Sequence, residues 1–313
     1  MLTYNIIATL PGTDDKLKDE YVVIGGHYDS VSNKLDKIHN GADDNASGTA
    51  GLLEVAQKLM AQRSRLKRSV LILGFDAEEK GLMGAKYFVD HPTVDLKNIV
   101  AMLNMDMIGR MEGSIANAGG VGTSPLFESM LDSLTQDQEF SLTMTKPGFG
   151  PSDHAAFYAK DIPVLFFYSG FHTQYHTPDD SWKLINPKGQ KDILDLVHDV
   201  TFHLSRVSAR PVFTEAGPKQ GQMRRNAKFK VTFGIVPSYG STKEGLEVDG
   251  ISRPDGPAAK AGIQKGDVIK SMDGKPIKDI YEYMDRLGEL KPGMTIPVLI
   301  DRDGTEMDVS VSF

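Results

Sequence analysis

The sequence contains no cysteine, which excludes disulfides, thiolate zinc sites and cysteine nucleophiles together. Any metal must then be held by His, Asp and Glu. Positive charge is short as well: 35 Lys and Arg stand against 42 Asp and Glu, the net charge is -7 at pH 7, and no long basic block occurs. That balance argues against nucleic acid or an anionic membrane surface as partner. No apolar run approaches the roughly 18 residues of a transmembrane helix. The opening Met1-Leu2-Thr3-Tyr4-Asn5 lacks the basic and apolar regions of a signal peptide, although a leader removed earlier leaves no trace, so this start says little about compartment.

What is present is the composition of a globular protein. With 313 residues, 40% hydrophobic and 25% charged, the chain fits a large domain plus a small one. Asn5 to Leu10 reads as a strand, and Pro11-Gly12-Thr13-Asp14-Asp15 as a hairpin-like connection. Tyr21 to Gly26, Ser69 to Phe75, Asn98 to Met105 and Pro163 to Phe167 are near-continuous apolar runs, the pattern of strands buried on both faces. Helices are expected at Ser47 to Gln62, Gly81 to Val89, Pro125 to Thr135 and, behind an Asn186 cap with Pro187 at the first helical position, from there to about Val207. Strands alternating with helices predict an α/β domain with a mostly parallel central sheet flanked by helices. Pro211, Gly217, Pro218 and Gly221 interrupt any periodicity, placing a linker at residues 208–226 between a domain of residues 1–207 and a small β-rich module of residues 227–313. In that module one helix is expected near Ile280 to Leu287, and a hairpin around Asp303-Gly304.

Chemistry-bearing residues collect where strands end. His27 and Asp29 follow the second strand two apart, so that they point the same way, and Asp29 is placed to hold the second nitrogen of a ligating His27. Asp43-Asp44 sit at the mouth of the first helix, where Asn45 or Ser47 could simply be capping it. Glu78-Glu79 follow the third strand and serve equally well as an acidic first turn; in a turn, though, neighbours aim apart, so one can bind metal while the other faces a water. Asp106 ends an apolar strand, and His176 lies in the polar loop after the last one. Each place alone admits a plain structural explanation. Jointly, two histidines and three carboxylates at the ligand-binding edge of an α/β sheet match the needs of a pair of zinc-like ions. His198 and His203, five apart on one helix, suit packing better than joint ligation, and Met102, Met105 and Met107 read as core and pocket lining.

With these residues in view, the chain resembles the co-catalytic zinc aminopeptidases, a superfamily that includes bacterial leucyl aminopeptidases and, further off, glutamate carboxypeptidase and glutaminyl cyclase. The matching stretches are Gly26-His27-Tyr28-Asp29-Ser30, the octapeptide from Gly41 to Gly48, Phe75 to Gly84, Leu103 to Gly109, Ser152-Asp153-His154 and Tyr175 to Asp180. The resemblance implies two divalent ions, zinc foremost, one held by His27, Asp43 and Asp106 and the other by Asp43, Glu79 and His176. It implies Glu78 as general base, Asp29 behind His27, Asp153 and Asp180 in the outer ring, Tyr175 near the developing oxyanion, and a cis peptide between Asp43 and Asp44. Substrates would be peptides with free, apolar N-termini, met by a pocket bordered by Phe149, Phe171 and Tyr175. Relatives are commonly exported, which points to the periplasm or exterior.

The C-terminal module resembles a PDZ domain. The resemblance rests on Thr232-Phe233-Gly234-Ile235, Gly256 to Ile269 and Asp273 to Ile277. It implies that backbone amides near Phe233, Gly234 and Ile235 hold the carboxylate of a C-terminal peptide, unless the module is a structural appendage. On the same scaffold a carboxypeptidase or glutaminyl cyclase remains an alternative: the first wants a basic cluster, and none lies near the motifs, while the second uses one zinc. A non-catalytic PDZ binding protein would be expected to have lost ligands or base, and none is missing.

Overall fold

A computed structural model of the chain describes residues 3–31, 37–219, 230–237, 244–278 and 280–313. By backbone proximity they form two units, residues 1–170 with 174–219, and residues 171–173 with 220–313.

The first unit runs β1 (Ile6–Leu10), β2 (Tyr21–His27), α1 (Gly48–Ala61), β3 (Ser69–Phe75), α2 (Met83–Asp90), β4 (Ile99–Met105), β5 (Ile115–Gly119), α3 (Phe127–Thr135), β6 (Ser141–Met144), α4 (His154–Tyr158), β7 (Val164–Tyr168) and α5 (Pro187–Arg206). Its sheet has the order β1-β3-β2-β4-β7-β5-β6. The four central strands, β3, β2, β4 and β7, are mutually parallel. Val22, Val23 and Ile24 are all fully buried, because side chains alternate between two covered faces. Val22 and Ile24 enter a cluster with Leu52, Val55 and Leu59 of α1 and Val197, Val200 and Leu204 of α5. Val23 joins Leu71, Leu73 and Phe75 on the other face, against Phe88 of α2 and Phe157 of α4. Each such side chain contributes about 1.5–3 kcal/mol relative to exposure.

The first connection is not a hairpin. β1 pairs antiparallel with β3, Ile6 opposite Gly74 and Leu10 opposite Val70. The doubly apolar β2 requires a neighbour on each side, so it lies between β3 and β4, and β1, exposed at four of its five residues, takes the edge. Two strands the apolar pattern does not announce, β5 and β6, extend the opposite edge; both are short and only partly buried.

α5 starts as expected, with the Asn186 side chain accepting from the Gly189 amide at 3.1 Å. Its C-terminus is gripped by the fully buried Arg68, whose guanidinium donates to the Leu204, Val207 and Ser208 carbonyls and to Glu20. A cation there meets the negative end of the helix dipole. This grip corrects the expected linker: residues 208–219 are held on the first unit. Arg210 donates to the Lys97 and Ile99 carbonyls, the Thr214 amide to Thr123, and the Ala216 amide to the Tyr158 hydroxyl. Residues 220–226 of that expected linker lie outside the described residues.

The second unit contains β8 (Ile235–Pro237), β9 (Leu246–Ile251), α6 (Pro257–Lys260), β10 (Val268–Met272), β11 (Lys275–Pro276), α7 (Ile280–Glu289), β12 (Thr295–Arg302) and β13 (Thr305–Ser312). Its sheet order is β13-β12-β10-β9-β8, with β11 on β10. The expected hairpin is there, Arg302 opposite Thr305. Phe233, Leu246, Val248, Ile269, Leu287 and Val298 are among its buried core residues. Among the described residues, no helix is long and apolar enough to cross a membrane.

Candidate metal centre

The parallel strands β3, β2, β4 and β7 end at one edge, and the loops leaving that edge carry the acidic and imidazole groups. His27 closes β2, Asp106 follows β4, Glu78 and Glu79 follow β3, and His176 lies in the segment after β7. Ala77, Met107 and His176 take left-handed backbone angles, φ near 55°, a conformation non-glycine residues adopt at a cost. The loops thus turn sharply just where the site needs side chains aimed inward.

The octapeptide 41–48 is fixed from several directions. Asn45 donates from its side-chain amide to the Met105 carbonyl at 3.0 Å, and its oxygen accepts from the amides of Gly48 and Met107 at 2.9 and 3.2 Å. One side chain thereby caps α1 and ties it to the end of β4. The approach is close enough to need glycine, since a Cβ on Gly48 would lie 2.6 Å from the Met105 oxygen. Ser47 donates to the Asp43 carbonyl and accepts from the Ile108 amide. The Asp180 carboxylate receives the amides of both Asp43 and Asp44, at 3.0–3.1 Å.

Within this frame the shared carboxylate is Asp44, not Asp43. Asp43 is fully buried and accepts from the Gly109 amide at 2.6 Å. Asp44 Oδ1 lies 3.4 Å from His27 Nε2, and Asp44 Oδ2 lies 3.0 Å from His176 Nε2. The cis peptide is likewise one residue later than expected, between Asp44 and Asn45. Consecutive side chains in the turn diverge, so one carboxylate serves the loop and its neighbour the cavity.

Two groups of donors result, His27 with Asp44 and Asp106, and Asp44 with Glu79 and His176, each with atoms within 4.8 Å of one another. His27 Nε2 is 3.3 Å from Asp106 Oδ1, and His176 Nε2 is 3.1 Å from Glu79 Oε2. Glu79 Oε1 is buried with no hydrogen-bond partner. A nitrogen and oxygen donor set with crowded carboxylates and an orphaned oxygen fits divalent zinc. The imidazoles respond to this crowding. Burial pulls His27 down, but Asp106, with Asp29 and Asp44, outweighs it and holds the ring well above its usual value. His176 is opposed by burial yet raised to about 9 by Asp44 and Glu79. Burial also opposes ionisation of Asp44, and both histidines more than offset it, lowering its pKa.

Glu78 stands beside these groups. Burial first, then the charges of Asp106, Asp153 and Glu79, push it up to about 10 against an opposing pull from His27. Asp29 stands behind His27 as expected and has a second task besides. The nearer acceptor for His27 Nδ1 is the Asp29 main-chain carbonyl at 3.1 Å, with the carboxylate at 3.5 Å. The carboxylate oxygens accept from the amides of Glu78 and Glu79 at 3.0 and 3.3 Å, fixing the turn that carries both. Tyr175 stacks on His176, ring centroids 3.7 Å apart. Asp153 is fully buried and pushed by that burial to about 8. His154 stacks on Phe166 at 4.5 Å, and burial alone drops it to about 3.

Other expectations resolve as packing. His198 is buried, within reach of Gln62 and Asp199, and stacks on Phe202. Phe149, expected at a pocket border, packs against the cluster of Phe75 and Phe157. Met102, Met105 and Met107 are buried. One basic residue near the motifs, Arg110, was missed: four positions after Asp106, it is half-buried and reaches Gln174. Its signal was a charge directly after an apolar strand and its Gly109 turn. In the second unit Phe233 is buried against Tyr283 of α7, and Gly234 has φ 88°, its carbonyl accepting from the Ser252 amide.

Comparison with known proteins gives a family for most of the chain. The sequence profile described as Peptidase family M28 matches residues 5–201, and the PDZ domain profile matches residues 241–313. Leucine aminopeptidase 1 of Ajellomyces capsulatus (strain NAm1 / WU24) is 31% identical over 178 residues, covering 52% of this chain and 45% of that protein. Aminopeptidase YwaD of Bacillus subtilis (strain 168) is 29% identical over 203 residues, covering 61% and 43%. Among solved structures, BSAP, a zinc aminopeptidase from Bacillus subtilis, superimposes with a TM-score of 0.55 at 28% identity, covering 68% of this chain and 53% of that one. The chain spans about half the length of these relatives.

Proposed function

The chain belongs to peptidase family M28, and on that footing we propose that it is a zinc-dependent aminopeptidase removing apolar residues from peptides with a free N-terminus. The observation that carries this reading is the pair of three-donor groups sharing Asp44, with Glu78 beside them. His27, Asp44 and Asp106 would hold one zinc ion and Asp44, Glu79 and His176 the other, and the pair would supply Lewis acidity for the scissile carbonyl and for water ionising near neutral pH. The protein does the rest. Two divalent cations beside Glu78 would offset the burial and the neighbouring carboxylates that raise it, and its ionised carboxylate, held by the Asp29 carboxylate through the Glu78 amide, takes the proton from the attacking water and returns it to the leaving amine. Tyr175, packed on His176, offers its hydroxyl to the oxyanion. Asp180 keeps Asp43 and Asp44 in place through their amides.

The completeness of the second donor group favours this reading over a cyclase with one zinc. The test compares hydrolysis of Leu-p-nitroanilide with that of an N-blocked dipeptide, alongside metal content per chain. Cleavage of the anilide alone, at two zinc ions per chain, is expected; preference for the blocked peptide would overturn the reading. Glu78→Gln should keep both ions and lower turnover by about 10²–10⁴. Full activity at equal metal content would remove Glu78 from its role.

We propose also that the second unit receives a C-terminal peptide. Among the described residues β8 pairs with one strand, β9, and strand addition would use its other edge. Peptide titration without saturation at millimolar concentration would instead mark a structural appendage. An exported location, carried by resemblance alone, belongs to the proposal too, and fractionation of host cells tests it.

A further inference from the structure

Arg110 is a charged group in an unusual position. It follows Gly109, whose amide is held by Asp43, and its own amide is pinned by the Ser169 hydroxyl at 2.9 Å. Ser169 in turn donates to the Met107 carbonyl, so the backbone that launches Arg110 is fixed from β4 to the end of β7. The guanidinium spans from the turn after Asp106 to Gln174, two residues before His176, donating from Nη2 to Gln174 Oε1 at 3.2 Å. Nη1 is buried and has no hydrogen-bond partner. Among the described residues Arg110 enters no ion pair.

A permanently charged, planar donor with one buried nitrogen left without an acceptor costs free energy until an acceptor arrives. The cost is removed by an acceptor matching its fork, and a carboxylate does so with paired hydrogen bonds. From its position between the loops bearing Asp106 and His176, we propose that Arg110 is a substrate-binding residue that receives a carboxylate of the peptide being cleaved. The source is either the C-terminal carboxylate of a short peptide or the side chain of an acidic residue. The alternative is a brace for the Gln174 loop, which would act equally on every substrate. This inference rests on the aminopeptidase reading for the identity of the ligand but not for the existence of an anion site.

The zinc-loaded enzyme and its Arg110→Gln variant are compared on Leu-Gly against Leu-Gly amide, and on Glu-p-nitroanilide against Gln-p-nitroanilide. The variant should raise KM about tenfold or more for one carboxylate-bearing member, with its neutral partner and kcat little changed, since a charged hydrogen bond contributes about 1.5–3 kcal/mol. Whichever pair loses its preference identifies the source. Arg110→Lys should restore part of it. A uniform loss on all four substrates, or preserved preferences in both pairs, overturns the proposal. Calorimetry separates the two readings: in the Glu78→Gln background, Leu-Gly and Glu-Gly amide are titrated against Leu-Gly amide and Gln-Gly amide, with and without Arg110→Gln. If wild type cleaves none of the substrates, the aminopeptidase reading fails, and Arg110-dependent preference for a carboxylate still upholds the anion site, whereas equal binding refutes it.

Discussion

The two halves of the proposed metal centre share a carboxylate but not an environment. His27, Asp44 and Asp106 are all buried, and the His27 side chain is 0% exposed. The other half rises to the rim, where the His176 side chain is 37% exposed. The inner half is built on strand ends within the sheet, the outer half on the turn after β3 and the long segment after β7. Rigid elements hold donors more tightly than loops do, so the inner half should act as the permanent site and the outer one as the exchanging site.

The largest expected effect breaks both halves together. Asp44→Asn removes the shared charge, and both ions should be lost, with turnover falling about a thousandfold or more because several kcal/mol of charge stabilisation disappear. Asp43→Asn should retain metal and most activity, losing only stability through the weakened contact with Gly109. Metal analysis and Leu-p-nitroanilide turnover on both variants decide which aspartate is shared, and equal metal loss would return Asp43 to the centre. A smaller effect sharpens the contrast. Graded chelation should pass through a species holding one ion per chain, and His176→Gln should resemble that species from the start; simultaneous loss of both ions would erase the difference between inner and outer halves. The smallest effect concerns His154, a histidine outside both halves and of opposite character. Its folded pKa is depressed to about 3 by burial, against about 6.5 when unfolded. The unfolded chain therefore binds a proton that the folded one refuses, and stability is lost as pH falls from about 6.5 toward 3. His154→Phe, able to keep the stack on Phe166, should flatten that slope by up to about 1.4 kcal/mol per pH unit, read from denaturant unfolding at several pH values.

The buried strands were legible because apolar runs such as Val22 to Ile24 leave no other placement, and the strand-end residues were legible because charge at such ends demands a purpose. Which of two adjacent aspartates is shared was not, since identical side chains one position apart differ only in the turn that aims them, and that turn is set by Asn45, Met105 and Asp180 from elsewhere in the chain. The second role of Asp29 was hidden for a similar reason: spacing pointed at His27, which its carboxylate does face, while the amides of Glu78 and Glu79 arrive from β3. β1 was read as a strand, yet its partner depends on how many neighbours β2 requires. The edge strands β5 and β6 bury too little to show a period.

The grip on the octapeptide also orders events in time. Asn45 waits for the Met105 carbonyl, 60 residues downstream, and the Asp44 amide waits for Asp180, 136 residues downstream. Contacts so distant along the chain form late. Zinc offered to a nascent or half-assembled polypeptide would find loose donors, and full occupancy would serve as a certificate that the sheet has closed.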